Sequence, residues 1–151
     1  MNDVIKSWLF VLVQGALLVA LLFMPSAPDV PRPLAIIGEG VQLIGVIVLI
    51  LSLYDLRKSL TALPLPTRNG QLQVRGLYRF VRHPMYVGVL TLSLGVAISG
   101  NTLLHYLLVA ALYALFTYKA RYEEQLLITK YPGYSSYMKK TPRFIPGLRN
   151  S

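Results

Sequence analysis

The 151-residue sequence contains no cysteine, so disulfide bonds, a thiolate nucleophile and a thiolate metal site are all excluded. Charge is scarce: Asp, Glu, Lys and Arg make up 14% of the residues, with 6 acids against 15 bases. Such a composition does not suit an ordinary soluble domain. There is no Gly-x-Gly-x-x-Gly dinucleotide fingerprint, no phosphate-binding loop and no metal-ligand spacing, so no metal is expected. Internal repeats and low-complexity tracts are absent as well.

What the sequence does have is apolar residues in long blocks, 54% of the total, with a mean hydropathy of +0.53. The blocks fall at 7–24, 34–54, 85–98 and 102–118. They predict an all-α, polytopic integral membrane protein: one membrane domain over 1–151 with about four transmembrane helices, followed by a cytosolic C-terminal helix and tail. A net charge of +9 ordinarily suggests nucleic acid. Here the bases flank the apolar blocks and follow the topology rule, so the expected partner is the lipid bilayer and not nucleic acid. Oligomeric state is not set by the sequence.

The first block, Ser7 to Met24, is interrupted only by Gln14 and Gly15 and is longer than a signal-peptide core, so it reads as a retained span. Pro25, Pro28, Pro31 and Pro33 predict a stiff connection to the second block. There Glu39 and Gln42 share a face, for interfacial placement or for binding, while Gly38, Gly40 and Gly45 permit close helix contact. Spans three and four are about 21 and 26 Å long, short of the ~30 Å hydrocarbon core, and Ser99-Gly100-Asn101 joins them in what reads as a tight hairpin. Gly88 and Gly95 would line its packing face, and His105 reads as a packed residue with no assigned chemistry.

Between Asp55 and Arg82 the chain carries Arg57, Lys58, Arg68, Arg75, Arg79 and Arg82 against one acid, which places this connection in the cytosol. Leu63-Pro64-Leu65-Pro66 and Arg68-Asn69-Gly70-Gln71 read as breaks or turns, and Gln71 to Arg75 as a short extended piece. From Lys119 onward bases again dominate, so both termini are expected to be cytosolic, in a bacterial inner membrane or an endoplasmic reticulum. Lys119 and Glu123 read as a surface ion pair, and Tyr118, Arg121, Tyr122 and Gln125 as one face of a helix extending past the membrane. Pro132-Gly133 ends that helix, and Tyr134 to Pro146 reads as an irregular aromatic tail.

The stretch Val74 to Gly88 joins a basic segment directly to an apolar helix. Pro84 suits a first helical turn and forces His83 out of helical geometry, so the free N–H groups of that turn face Tyr78, Arg79, Arg82 and His83. Such a helix start favours an anion. A charged pocket at a membrane surface is costly and so points to function; the alternative is a basic patch that sets topology or binds anionic lipid. Glu123 and Glu124, at the end of span four, face the same side of the membrane, and a hairpin makes the two islands neighbours. Together they suit a zwitterionic ligand with a hydroxylated ring. The carboxylates accept from a diol, Arg82-His83 takes a carboxylate, and tyrosine faces hold an adenine or a sulfonium.

Arg82-His83-Pro84-Met85-Tyr86, the preceding Gly76 to Arg79, Glu123-Glu124 and the closing Pro142-Arg143-Phe144-Ile145-Pro146 resemble the isoprenylcysteine carboxyl methyltransferase family, which is related to the phospholipid N-methyltransferases. The resemblance covers roughly 67–147. It implies S-adenosylmethionine as cofactor, held on the cytosolic side through 67–88 and 118–147, and a lipophilic acceptor from the bilayer, with a carboxylate favoured. Tyr78, Arg82, His83, Pro84, Tyr86, Tyr122, Glu123, Glu124 and Arg143 would then contact the cofactor. Arg121 and Glu124 would be catalytic, Arg121 orienting the acceptor. Other classes compatible with the sequence are an NADPH-dependent membrane reductase and a non-catalytic membrane protein that binds lipid or a partner.

Overall fold

The structure, a computed structural model, describes residues 3–56 and 72–147. The predicted turns between Leu63 and Gln71 lie outside the described residues. The described chain has no strand and contains five α-helices: α1 Asp3–Phe23, α2 Arg32–Leu56, α3 Pro84–Gly100, α4 Leu103–Lys130 and α5 Tyr134–Lys140. Helices α1, α2 and α4 are long and apolar enough to cross a membrane. Helix α3 has 17 residues, about 26 Å. At 28 residues α4 is about 42 Å long, so its last turns leave a hydrocarbon core of about 30 Å, as the spacing of Tyr118 to Gln125 predicts.

Each boundary has a local cause. Pro84 occupies the first turn of α3 after a non-helical His83, as expected. Asn101 ends α3 in the left-handed region at φ 50, a conformation that asparagine tolerates. Thr102 then caps α4, accepting from the His105 N–H at 3.4 Å, and its hydroxyl lies 2.6 Å from His105 Nδ1. His105 is thus a buried packing residue, as its sequence context suggests. Ala27 N–H donates to Gly100 O at 2.8 Å and ties the proline-rich connection to this turn.

The α3–α4 hairpin forms as expected, across Asn101-Thr102, but the closest packing of α3 is with α2, so the partner of its glycine stripe is corrected. A Cβ on Gly88 would lie 2.8 Å from Leu49 N, one on Gly95 would lie 2.7 Å from Gly38 O, and Gly38 and Gly45 are equally crowded by α3. The small residues of the two helices therefore face each other, and the backbones approach closely without a Gly-x-x-x-Gly spacing. Gln42 Nε2 donates to Ser99 Oγ at 3.1 Å across this seam, whereas Glu39 and Gly40 face outward. Because α2 takes one side of α3, α4 packs less intimately on the other, and a groove remains between them.

The tail is also corrected. Tyr134 to Lys140 forms α5 before the irregular segment begins at Thr141. Tyr134 is fully buried, so this short helix is held by packing and not by its own length.

Candidate active site

The segment before α3 is fixed first. Gly76 has φ +61, a conformation that favours glycine, and a Cβ there would strike the Asp55 carboxylate. Asp55 Oδ2 accepts from Leu77 N at 2.9 Å, and its carbonyl accepts from Gln73 Nε2 at 2.9 Å. The lone acid of the basic connection is therefore an anchor for the 3₁₀ turn Gly76–Arg79. The Tyr137 hydroxyl of α5 donates to the Tyr78 carbonyl on the same turn. Burial pushes the hydroxyls of Tyr78, Tyr134 and Tyr137 well up in pKa, so all three stay neutral.

The tail then returns. Arg82 N donates to Pro142 O at 2.9 Å and His83 N donates to Arg143 O at 3.2 Å, a two-rung backbone clasp. It brings Arg143 to Glu124, where Nε meets Oε1 at 3.1 Å and Nη2 meets Oε2 at 2.7 Å. His83 Nε2 lies 3.0 Å from the same Oε1. Arg82 Nε also lies 3.1 Å from Oε1, close enough for charge contact but without hydrogen-bond geometry. Its Nη1 donates to Met138 O at 3.2 Å, and its buried Nη2 has no partner. Glu124, Arg82, His83 and Arg143 are all buried.

Glu123 is engaged differently. It accepts from the Tyr86 hydroxyl at 2.6 Å, and its second oxygen is 3.5 Å from His83 Nδ1. The His83 ring is thus between two carboxylates. Burial disfavours its charge, but hydrogen bonds to Glu123 and Glu124 outweigh this and raise its pKa above the ordinary value. His83 stacks on Tyr86, with centroids 5.3 Å apart, and Tyr86 stacks on Phe116 at 4.5 Å. The polar cluster is therefore continuous with the aromatic core of Leu112, Phe116, Ala120 and Phe144.

Of the residues selected from sequence, Tyr78, Arg82, His83, Pro84, Tyr86, Glu123, Glu124 and Arg143 converge here. Two do not. Tyr122 turns toward α1, its ring 5.9 Å from Phe10, and Arg121 is on the exposed side of α4. The Lys119–Glu123 surface pair is corrected too. Lys119 is buried, donates to Gln14 Oε1 on α1 at 2.8 Å and lies 5.1 Å from the centre of the Tyr86 ring. The sequence carried a signal for this in Gln14, a polar residue inside an otherwise apolar block. Asp55, Tyr137 and Phe144 also gain roles that their sequence context left unassigned.

Beside the cluster, α3 and α4 enclose an apolar groove of about 540 Å³, with Val87, Leu90, Tyr113 and Phe144 among its walls. Leu94, Tyr113 and Ile145 on its rim are exposed, so it opens on the apolar outer surface of the helices. Phe144 forms its wall toward the cluster, with ring centres 6.0 Å from His83, 6.4 Å from Tyr86 and 5.9 Å from Tyr113.

A family model for phospholipid methyltransferases matches residues 34–133, a stretch that contains nearly all of α2, the whole of α3 and α4, and most of the cluster. The chain belongs to the phospholipid methyltransferase family. It is 34% identical over 83 residues to the cobalt-zinc-cadmium resistance protein CzcN of Cupriavidus metallidurans, a match covering 54% of this chain and 38% of that protein. Its fold is similar to that of the eukaryotic intramembrane Ras methyltransferase ICMT, with a TM-score of 0.71 at 22% identity, over 98% of this chain and 52% of the other. The chain thus spans about half of the solved relative or less than half of the curated one. The architecture is that of a multi-pass methyltransferase-family membrane protein.

Proposed function

We propose that this chain transfers a methyl group from S-adenosylmethionine to a lipophilic carboxylate at the cytosolic face of the membrane. The observation that carries the reading is the buried Arg82 guanidinium, whose Nη2 has no partner, set in a cation-rich cluster next to an apolar groove. A buried donor of this kind is costly unless a ligand satisfies it. The carboxylate of an amino acid moiety matches that need, so the residues present fit the cofactor.

Arg82 and the α3 N-terminus would hold the amino acid end, with His83 and Tyr86 shaping that wall and Tyr78 behind it. Glu123, more exposed than Glu124, would accept from ribose hydroxyls. Glu124 has both oxygens occupied by Arg143 and His83 and serves to position those cations. Bound S-adenosylmethionine supplies an electrophilic methyl group on a sulfonium. The groove would orient the acceptor's hydrocarbon portion and exclude water, which lets positioning supply most of the rate.

The protonation pattern favours a carboxylate acceptor over an amine. An amine or thiol must lose a proton, yet His83 is held toward its charged form and Glu124 is engaged by arginine. A carboxylate needs no base. Calorimetric titration of S-adenosylhomocysteine into the purified protein tests the cofactor assignment, with Arg82→Gln as control. Saturable binding lost in the variant supports it. Absence of binding to a folded protein overturns it.

A further inference from the structure

The groove and the polar cluster are separated by one side chain. Phe144 lines the groove and also packs against His83, Tyr86 and Tyr113. It is 5% exposed and forms a buried part of this wall. An acceptor chain lying in the groove can bring its polar end to His83 and Tyr86 past this wall only if the ring moves. Phe144 directly follows Arg143, whose carbonyl accepts from His83 N and whose guanidinium grips Glu124. The segment that would move is therefore held by two backbone hydrogen bonds, one ion pair and the packing of the Phe144 ring, with no helix of its own.

We infer that Phe144 is a shutter between the lipid-chain groove and the polar cluster, and that a hydrocarbon chain filling the groove loosens the Pro142–Arg143 clasp and exposes the cluster. The chemical class of the occupant is a single long-chain amphiphile with an anionic head. Size supports one chain: about 540 Å³ lies within the roughly 300–1,000 Å³ of a pocket for one small ligand. Charge supports the head: Arg82, Arg143 and Lys119 outnumber Glu123 and Glu124 around the cluster. Two consequences follow from the connectivity. Chain binding and cofactor binding become positively coupled, because a chain in the groove uncovers the cluster that would hold the cofactor's amino acid end. Truncating Phe144 uncouples them, because the wall is then already open. The inference rests on the methyltransferase reading for its biological meaning, but not for its test.

The test is amide hydrogen exchange at Arg82 and His83, whose N–H groups form the clasp. The protein is held in micelles of a steroidal detergent too broad for the groove, with palmitate as the probe and octanoate as the short-chain control. Palmitate is expected to speed exchange at both amides in the wild type, and octanoate to do so far less. Ala110→Phe, which fills the groove away from the cluster, should abolish the response. Phe144→Ala should exchange fast without any probe; if it fails to fold, Phe144→Leu provides the same comparison with a smaller truncation. Unchanged exchange in the wild type, or an equal response in Ala110→Phe, overturns the shutter. A parallel titration should show S-adenosylhomocysteine binding about tenfold tighter with palmitate, within the ordinary range of coupling. If S-adenosylhomocysteine does not bind while exchange responds, the cofactor assignment falls and the shutter stands.

Discussion

Arg143 closes on Glu124 at two points, Nη2 to Oε2 at 2.7 Å and Nε to Oε1 at 3.1 Å, joining the end of the chain to α4 through a planar fork. Replacing Arg143 with alanine leaves a buried carboxylate short of its strongest partner. The expected cost is about 3 kcal/mol, read as a lower melting temperature in detergent. Arg143→Lys should recover only part of it, because an ammonium restores charge but not the fork. Wild-type melting in Arg143→Ala would show that the clasp contributes nothing.

Adjacent acids should differ in what they do. Glu123→Gln keeps the Tyr86 contact sterically but removes the charge beside His83, so S-adenosylhomocysteine affinity should fall by about tenfold while melting shifts little. Glu124→Gln should instead lower melting by several degrees, since three cations meet there. Arg121→Ala, on the exposed side of α4, should leave both quantities as they are. A collapse of cofactor affinity in Arg121→Ala would return that residue to the site.

The α2–α3 seam makes a prediction independent of function. Gly88→Val places atoms into Leu49 of α2, where even a Cβ lies 2.8 Å from Leu49 N, and should destabilise by more than 2 kcal/mol, an estimate of about the usual overpacking cost. Gly40 has nothing within 4 Å of its Cβ position, so Gly40→Ala should be neutral or stabilising by up to about 1 kcal/mol. Equal melting of the two variants would contradict the packing described.

These residues also mark what the sequence makes legible. Hydropathy and Pro84 locate the helices to within a few residues, because burial in lipid and a missing N–H act locally. Arg82, His83, Glu123 and Glu124 could be selected because charge beside an apolar helix rarely lacks a role, whereas Tyr86 and Arg143 were pointed to only by the family resemblance. Which helices touch could not be read. Gly88 and Gly95 signal a close contact without naming its partner, and α2 proved to be that partner. Lys119 shows the same limit: i+4 spacing suggests Glu123, yet the long side chain reaches Gln14 on another helix. Arg121 and Tyr122 were misplaced for a related reason. They flank the same acidic pair in sequence, but the helical turn sends them to solvent and to α1.

The last prediction concerns pH. Burial opposes charge on His83, but Glu123 and Glu124 prevail and raise its folded pKa above the unfolded value near 6.5. A raised pKa means the folded protein binds the proton more tightly than the unfolded chain. The stabilisation is therefore fully present below about pH 6.5 and is lost as pH rises through the raised value. Melting temperature should accordingly fall by a few degrees as the buffer is taken upward from pH 6.5. The hydrogen bond to Glu124 raises the Arg143 pKa further, so that cation does not mimic this slope. His83→Gln retains hydrogen bonding without a titrating proton, and its melting temperature should be flatter across the same window. If wild type and His83→Gln show the same slope, His83 is neutral in the folded protein, and the argument that it cannot deprotonate an amine acceptor fails with it.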